Sequence, residues 1–123
     1  YQLQAAISAV HSDASDWHKT DWPQILGLYS ALNALTPSPV IRLNRAVACA
    51  NAGDLAQALQ EVDGLKSELA NYQPFYATRA ELRRRDGQIE LAKQDYAAAI
   101  KFSQNLAERR YLTDKLQSLG KKA

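Results

Sequence analysis

Arginines are the side chains in this 123-residue sequence whose type and spacing offer the clearest chemistry. Arg83, Arg84 and Arg85 are consecutive, and a guanidinium can hold a carboxylate through two parallel hydrogen bonds. The triplet also lies just before Gly87, where basic side chains in a last helical turn offset the helix dipole. Two roles therefore stay open for it: a contact patch for an acidic partner protein, and a solvated helix end. The sequence adds three further candidates for partner contact, which are Arg109, Arg110 and the loop residue Trp17.

Patterns that support catalysis or metal binding are missing. The sequence contains no glycine-rich phosphate loop, no nucleophile elbow and no His-Glu-x-x-His helix. We therefore predict that the chain is not an enzyme and has no catalytic residue and no cofactor. Four possible metal ligands share one loop, but their spacing matches no known site, and turn and capping chemistry is expected there instead. They are His11, Asp13, Asp16 and His18. The single cysteine, Cys49, lies in an apolar run and is predicted to fill the core.

A repeat of 34 residues organises the elements that must position these side chains. Gly53 and Gly87 are 34 residues apart, and this is the period of the tetratricopeptide helix–turn–helix unit. Four pairs of identical residues coincide when the sequence is shifted by this period. They are Arg45 and Arg79, Ala46 and Ala80, Gly53 and Gly87, and Ala58 and Ala92.

The matched positions have physical roles in a helical hairpin. Small alanines let antiparallel helices approach closely, and a glycine supplies the left-handed residue that ends the first helix. Asp54 is then placed to cap the second helix of one copy, and Gln88 is expected to do the same in the next. Two interpretations stay open for Arg45 and Arg79, which lie at helix centres. They either form ion pairs within the repeat, with acids such as Glu61 and Asp95, or project towards a partner protein.

The fold is predicted to be all-α, a tetratricopeptide-like helical repeat of about seven helices in a single domain, residues 1–123. Its parts are a degenerate repeat at 1–38, repeats at 39–72 and 73–104, and a capping helix at 105–120. The first helix is expected from Tyr1 to about Ala14. Because the sequence contains no methionine, we interpret it as a fragment of a longer protein.

Apolar periodicity predicts which side chains these helices bury. Asp21 is the expected N-cap of a helix that buries residues as far as Leu35. The second helix of the repeat at 39–72 is expected to continue through Leu65 and Leu69. The last helix is expected to present one apolar stripe, made of Leu106, Tyr111, Leu112, Leu116 and Leu119.

Charge and composition narrow the class of partner. The net charge is +2, but residues 76–123 carry eleven bases and six acids, whereas residues 53–75 carry one base and four acids. This gradient can steer a charged partner, but the acids among the bases disfavour a nucleic-acid surface. The sequence contains no apolar run long enough for a membrane span, so no membrane contact is expected. One cysteine excludes an internal disulfide and fits a reducing cytoplasm.

Several short stretches carry a more specific resemblance. The most distinctive are Asp21-Trp22-Pro23-Gln24-Ile25 and Leu43-Asn44-Arg45-Ala46-Val47-Ala48. The others are Tyr1-Gln2-Leu3-Gln4-Ala5-Ala6-Ile7, Leu28-Tyr29, Thr36-Pro37-Ser38-Pro39-Val40 and Ala107-Glu108-Arg109-Arg110-Tyr111-Leu112. In this order, over almost the whole chain, they resemble the carboxy-terminal extension of one group of bacterial extracytoplasmic-function RNA polymerase sigma factors (sigma-70 family, sigma-24-like).

The resemblance implies an accessory role in transcription initiation. Such an extension would contact the sigma regions of its own chain, core RNA polymerase or a regulatory protein, and would control whether the factor is active. No direct DNA contact is expected, because the chain has no helix-turn-helix signature.

The alternative is a peptide-binding tetratricopeptide scaffold unrelated to transcription. A clamp for an acidic carboxy terminus needs bases on the first helix of successive repeats. The corresponding positions are Val40, Leu43, Val47, Ala50 and Asn51 in one repeat, and Pro74, Ala77, Glu81, Arg84 and Arg85 in the next. Since only the later repeat offers bases, a carboxylate clamp is not expected, although an apolar groove could still accept a peptide.

Overall fold

The computed structural model describes residues 21–120, and this range is helical with connecting turns and contains no strand. Six helices follow one another in it. They are α1 (Trp22–Leu35), α2 (Pro39–Asn51), α3 (Leu55–Asp63), α4 (Gln73–Arg85), α5 (Ile89–Lys101) and α6 (Leu106–Gly120). The expected first helix, the four metal-ligand candidates and Trp17 all lie outside the described residues.

Contacts divide the chain into two compact units, Tyr1–Glu61 and Val62–Ala123. Helices α1 and α2 and most of α3 belong to the first unit, and α4, α5 and α6 belong to the second. The division falls inside the predicted repeat at 39–72, and the bounds of the individual repeats stay predictions.

In the first unit, α1 begins where the sequence predicts it. Asp21 accepts a hydrogen bond on its side chain from the backbone N–H of Gln24 at 3.0 Å. Pro23 lies in the first turn, where its missing N–H costs no hydrogen bond. The N-cap prediction is therefore confirmed.

Helix α1 packs against α2 through the fully buried side chains of Ile25 and Ala48. Four partly buried apolar side chains surround this contact: Trp22, Leu26, Leu28 and Tyr29. The expected burial of Leu35 is wrong, since this side chain is 76% exposed. It lies ten positions after Ile25 and is thus turned about 80° from it around the helix.

Glycine turns end α2 and α4 in the same way. Gly53 has a φ of 112° and Gly87 a φ of 83°, so both adopt the backbone that side-chain-bearing residues avoid. The N–H of Asp54 then donates to the carbonyl of Cys49 at 3.1 Å, and that of Gln88 to the carbonyl of Arg83 at 2.8 Å. These are the six-to-one bonds of a Schellman motif, and they confirm the predicted role of both glycines.

The two turns differ in how they start the following helix. Asp54 Oδ1 accepts from the backbone N–H of Gln57 at 3.1 Å, which confirms the predicted cap of α3. Gln88 makes no such bond, so its predicted capping role is wrong. Its side-chain amide donates to Asp86 at 2.6 Å instead, because a glutamine side chain is longer than the Asp, Asn or Ser side chains that suit an N-cap.

In the second unit, α5 packs against both α4 and α6. The aromatic side chains of Phe75, Tyr76 and Tyr96 are buried there, with the Phe75 and Tyr76 rings edge to face at 5.0 Å between centroids. The four alanines of the repeat signature are also fully inaccessible: Ala46 and Ala58 in the first unit, and Ala80 and Ala92 in the second. Their burial agrees with the close helix approach predicted from their size.

Helix α3 is shorter than predicted. It ends at Asp63, so Leu65 and Leu69 lie in the turns that follow rather than in the helix. Gly64 comes next, and glycine is among the poorest helix formers. The chain continues in tight turns, in which the N–H of Leu65 donates to the carbonyl of Val62 at 3.0 Å. Leu65 and Leu69 are nevertheless buried, at 2% and 7% exposure.

Helix α6 begins with a reciprocal cap and buries only part of the expected stripe. Asn105 Oδ1 accepts from the N–H of Glu108, and the Glu108 carboxylate accepts from the N–H of Gln104, both at 2.8 Å. Leu112 and Leu119 are buried, but Leu106 and Tyr111 are 62% and 61% exposed. Each of these two side chains lies about 100° or more around the helix from Leu112, so a single stripe cannot include them.

We expect Gly53→Ala to lower the free energy of unfolding by about 1–2 kcal/mol, because a Cβ is strained at this positive φ. Added atoms would meet nothing within 4 Å at Gly53 or at Gly27 of α1, so steric contact does not differ between the two sites. Gly27→Ala is the matched control and should raise stability by about 0.5–1 kcal/mol. Urea unfolding followed by circular dichroism measures both, and equal shifts for the two variants would contradict the left-handed turn at Gly53.

Candidate protein-interaction site

Arg79 is turned into the second unit and is not a surface residue. Its side chain is 9% exposed, and its guanidinium lies 5.0 Å from the centroid of the Phe75 ring and 5.9 Å from that of Tyr76. Arg79 donates to Asp95 through Nε at 3.0 and 3.1 Å and through Nη2 at 2.8 Å. Since Asp95 is only 4% exposed, this is a buried ion pair that joins α4 to α5.

Arg83 completes the same cluster. Its Nη1 donates to the other oxygen of Asp95 at 2.8 Å, and its side chain is 15% exposed. Both arginines also approach Asp63 at the end of α3, at 3.5 and 3.6 Å. Arg83 was a candidate for partner contact, and the structure places it in an internal ion pair, which leaves little of its guanidinium for a partner.

Arg45 and Glu61 form the equivalent pair of the first unit, with the same separation of 16 residues. The contact is longer, 3.4 Å between Nη2 and Oε1, and both side chains are 24% exposed. Glu61 Oε2 is inaccessible and has no hydrogen-bond partner in the part of the chain that the structure describes. Of the two interpretations offered for Arg45 and Arg79, the structure thus shows ion pairs within the repeat, one tight and one loose.

Cys49 lies beside this looser pair. The side chain is buried, and its Sγ donates to the carbonyl of Asp54 at 3.5 Å. Burial raises the pKa of the thiol, and the nearby carboxylates of Glu61 and Asp54 raise it further. A neutral, buried thiol is a weak nucleophile, which agrees with a core-filling role.

Arg84 points outward and pairs with Glu81 one turn earlier. Its Nη2 and Nε donate to the two carboxylate oxygens at 2.6 and 2.9 Å, and the hydroxyl of Tyr96 donates to the same carboxylate at 3.3 Å. Hydrogen bonding from Arg84 holds the pKa of Glu81 below its ordinary value, with Tyr96 and Lys115 acting in the same direction and burial opposing them. Glu81 is therefore an ionised, hydrogen-bonded side chain that is still 40% exposed.

Two α6 side chains lie next to this group. Lys115 is near enough for its charge to act on Glu81, and Tyr111 is near enough to act on Tyr96. The Lys115 ammonium lies 5.6 Å from the centroid of the Tyr111 ring. Both side chains are exposed, so the outer surface of the second unit carries an arginine, a lysine, a carboxylate and an aromatic ring together.

The remaining candidates are scattered. Arg85 is exposed at the end of α4, and Arg109 and Arg110 are exposed on α6. Arg109 donates from Nε to Ser103 Oγ at 3.4 Å. The arginine triplet is thus split, with Arg83 inside and Arg84 outside, and these assignments to partner binding stay predictions.

The residues that sequence reasoning missed are Tyr111 and Lys115 as neighbours of Arg84 and Glu81. One signal was available, because the 34-residue period places Tyr111 opposite Ala77, and Lys115 opposite Glu81, on the first helix of a further repeat. Assigning Tyr111 to the apolar stripe concealed it.

Two searches of the described residues gave no sign of a metal or membrane site. Among residues 21–120, no group of three or more His, Cys, Asp or Glu side chains could hold a metal ion. In the same range, no helix is long and apolar enough to cross a membrane.

Comparison with solved structures supports the predicted fold class. The first tetratricopeptide domain of human RPAP3, determined by NMR, is similar with a TM-score of 0.76 and 20% identity, over 97% of this chain and 87% of that one. The first such repeat domain of Spaghetti (RPAP3), bound to the HSP90 peptide SRMEEVD, gives a TM-score of 0.75 at 20% identity, over 98% and 89%. The all-α, tetratricopeptide-like prediction is therefore confirmed.

Sequence comparison gives one longer relative. No protein-family model matches the chain. An uncharacterised protein of Rhizobium meliloti (strain 1021) is 38% identical over 120 residues, which make up 98% of this chain and 28% of that protein. The chain thus spans little more than a quarter of the length of this relative.

We expect Asp95→Asn to lower the free energy of unfolding by about 3–5 kcal/mol, because it leaves two arginines without their buried counter-charge. Glu61→Gln at the equivalent, partly exposed pair is the matched control and should cost less than about 1 kcal/mol. Urea unfolding of both variants at the same pH and salt gives the comparison. If the two losses were alike, burial would not distinguish the two pairs.

The Glu81–Arg84 pair should make a pH-dependent contribution to stability. Because the pKa of Glu81 in the folded chain lies below its ordinary value of 4.5, its contribution is present above that value and is lost as the pH falls through the folded pKa. The stability difference between the native chain and Glu81→Gln should therefore shrink between about pH 7 and about pH 3.

Unfolding curves of both proteins at several pH values measure this difference. Glu90→Gln removes another carboxylate paired three residues along a helix, with Lys93 at 3.3 Å, but Glu90 is 83% exposed. Its effect should be smaller throughout. A Glu81→Gln difference that did not change with pH would contradict the role given to the ionised pair.

Proposed function

We propose that this chain is a protein-interaction scaffold that binds a segment of another protein or of its own longer chain. The observation that carries the proposal is the tetratricopeptide-like fold, which in the Spaghetti structure holds a peptide. Binding one partner segment on stacked helical hairpins is a common use of helical repeats. Neither a metal nor a cofactor is needed for this function.

The first helices of the two well-formed repeats offer different surfaces to such a segment. On α2, two of the five positions considered for a peptide groove are in the core, since Leu43 and Ala50 are 2% and 3% exposed. Val40, Val47 and Asn51 remain half-buried. On α4, Glu81 and Arg84 are partly exposed and Arg85 is exposed, so the charged contacts belong to the second unit.

More specifically, we propose that the scaffold is the carboxy-terminal regulatory extension of an extracytoplasmic-function sigma factor and acts in the bacterial cytoplasm. The support is the sequence resemblance of residues 21–25 and 43–48, together with the smaller matches along the chain. The relative from Rhizobium meliloti carries a similar segment within a much longer chain, as this role would require. Its partners would be the sigma regions, core RNA polymerase or a regulatory protein.

A peptide array tests the scaffold. Short overlapping peptides that cover the rest of the Rhizobium meliloti relative and the subunits of bacterial core RNA polymerase are immobilised and probed with the labelled 123-residue chain. We expect a few contiguous peptides to bind, and scrambled peptides of the same composition to fail. If no peptide bound above its scrambled control, the scaffold function would be contradicted.

Run-off transcription tests the sigma-factor role separately. The intact Rhizobium meliloti relative, or the same protein lacking the segment that matches this chain, is combined with core polymerase and fragmented genomic DNA, and the transcripts are sequenced. We expect discrete start sites with the intact protein and a changed output without the segment. Failure of the intact protein to direct any initiation would exclude the sigma role and leave the scaffold function standing.

A further inference from the structure

The surface formed by Glu81 and Arg84 of α4 and by Tyr111 and Lys115 of α6 is the part of the second unit best built to hold a ligand. We refer to these four residues as the α4–α6 face. Its floor is the hydroxyl of Tyr96, which donates to Glu81 at 3.3 Å. The four side chains come from helices that the 34-residue period makes equivalent, so this is one repeated surface and not a chance assembly.

The chemistry of the α4–α6 face is that of a carboxylate site. Two guanidinium nitrogens of Arg84 donate to Glu81 at 2.6 and 2.9 Å, and Lys115 adds its charge from the neighbouring helix. Donors from α4, α5 and α6 thus favour one negative group at this place. The chain's own Glu81 occupies it.

The donors of this face are not exhausted by Glu81. A guanidinium carries five N–H groups, and Arg84 reaches Glu81 through Nε and Nη2. Lys115 is exposed and lies over the Tyr111 ring rather than against a carboxylate. The two cations of the face outnumber its one anion, which leaves room in charge and in hydrogen bonding for a second carboxylate.

Tyr111 supplies an apolar contact beside the charges. It is 61% exposed, which is unusual for a large aromatic side chain unless it contacts a partner. Its ring lies under the Lys115 ammonium, at 5.6 Å from the centroid. A side chain that follows a carboxylate along a bound segment would meet this ring.

We propose that the α4–α6 face binds an acidic segment of a partner protein. A glutamate or aspartate side chain of the segment contacts Arg84 and Lys115, and the adjacent apolar side chain packs on Tyr111. The proposal deepens the scaffold function and rests on it. Charge supports this occupant, because residues 76–123 carry eleven bases against six acids and attract an acidic chain.

Glu81 acts in this scheme as an internal competitor. It holds Arg84 in position but also repels the incoming carboxylate and engages the donors that the partner needs. Replacing it with glutamine would remove one negative charge from the face and leave the side chain nearly unchanged in size. Affinity for an acidic segment should then rise, which a merely structural pair would not produce.

Two labelled peptides test the proposal. The probe is Gly-Ser-Glu-Leu-Glu-Gly-Ser with an amidated carboxy terminus, so that only side-chain carboxylates can bind, and its control carries Gln in place of both Glu. Binding to the 123-residue chain is measured by fluorescence anisotropy at low and physiological salt. A two-dimensional NMR titration locates the amide groups that respond.

The protein variants separate this face from general electrostatic attraction. Lys115→Gln removes a lysine of the face. Lys101→Gln removes the same charge and the same type of contact elsewhere, since the Lys101 ammonium lies 5.6 Å from the centroid of the Phe102 ring on α5. Lys101→Gln is therefore the matched control, and circular dichroism confirms that each variant is folded.

We expect the Glu probe to bind more tightly than the Gln probe, and Lys115→Gln to weaken its binding by about twofold to fivefold, as for a partly exposed ion pair. Lys101→Gln should leave the affinity nearly unchanged, and Glu81→Gln should raise it by a similar factor. NMR shifts should centre on residues 81–84 and 111–115.

Three results would overturn the assignment: equal binding of the two probes, equal loss in the two lysine variants, or no binding of the Glu probe even by Glu81→Gln. None of them would contradict the scaffold function, which the peptide array tests independently of this face. A failed array together with no probe binding would remove both proposals.

Discussion

The buried carboxylate of Asp95 is the group on which the arrangement of the second unit depends. It lies 4% exposed and accepts hydrogen bonds from both Arg79 and Arg83. Taking such charges out of water costs free energy that only good geometry repays, and here three donor atoms and two aromatic rings provide that geometry. We therefore attribute to this cluster the angle and register at which α4 meets α5. Net stability comes chiefly from the apolar and alanine contacts around it.

The same cluster decides which bases the chain presents to solvent. Successive residues of a helix are turned by about 100°, so three consecutive arginines cannot share one direction. Asp95 holds Arg83 inside, and Arg84 is left on the outer surface, where Glu81 orients it. An arginine held in place has already lost part of the rotamer freedom that binding would remove. The internal pair thus prepares Arg84 for a partner and, at the same time, competes with that partner.

The two equivalent arginines show how one repeat position acquires two strengths. Arg79 meets a shorter acid, Asp95, at 2.8 Å in a buried setting, whereas Arg45 meets the longer Glu61 at 3.4 Å with both side chains a quarter exposed. The sequence match between the two repeats extends to the acid only as Glu against Asp. Burial then amplifies this small difference, because ion pairs are weak in contact with water and sensitive to geometry away from it.

The sequence alone determined the repeat, its two left-handed glycines, its buried alanines and the caps at Asp21 and Asp54, because these depend on period, residue size and local backbone. It also identified Arg45 and Arg79 as possible partners of Glu61 and Asp95. Only the tertiary structure decided that α3 stops at Asp63, that Tyr111 and Leu106 face solvent, and that Arg83 and Arg84 point to opposite environments. Periodicity specifies which side of a helix is apolar, but not which residue of a neighbouring helix reaches a given atom. The α4–α6 face could therefore be found only once α4, α5 and α6 were placed together.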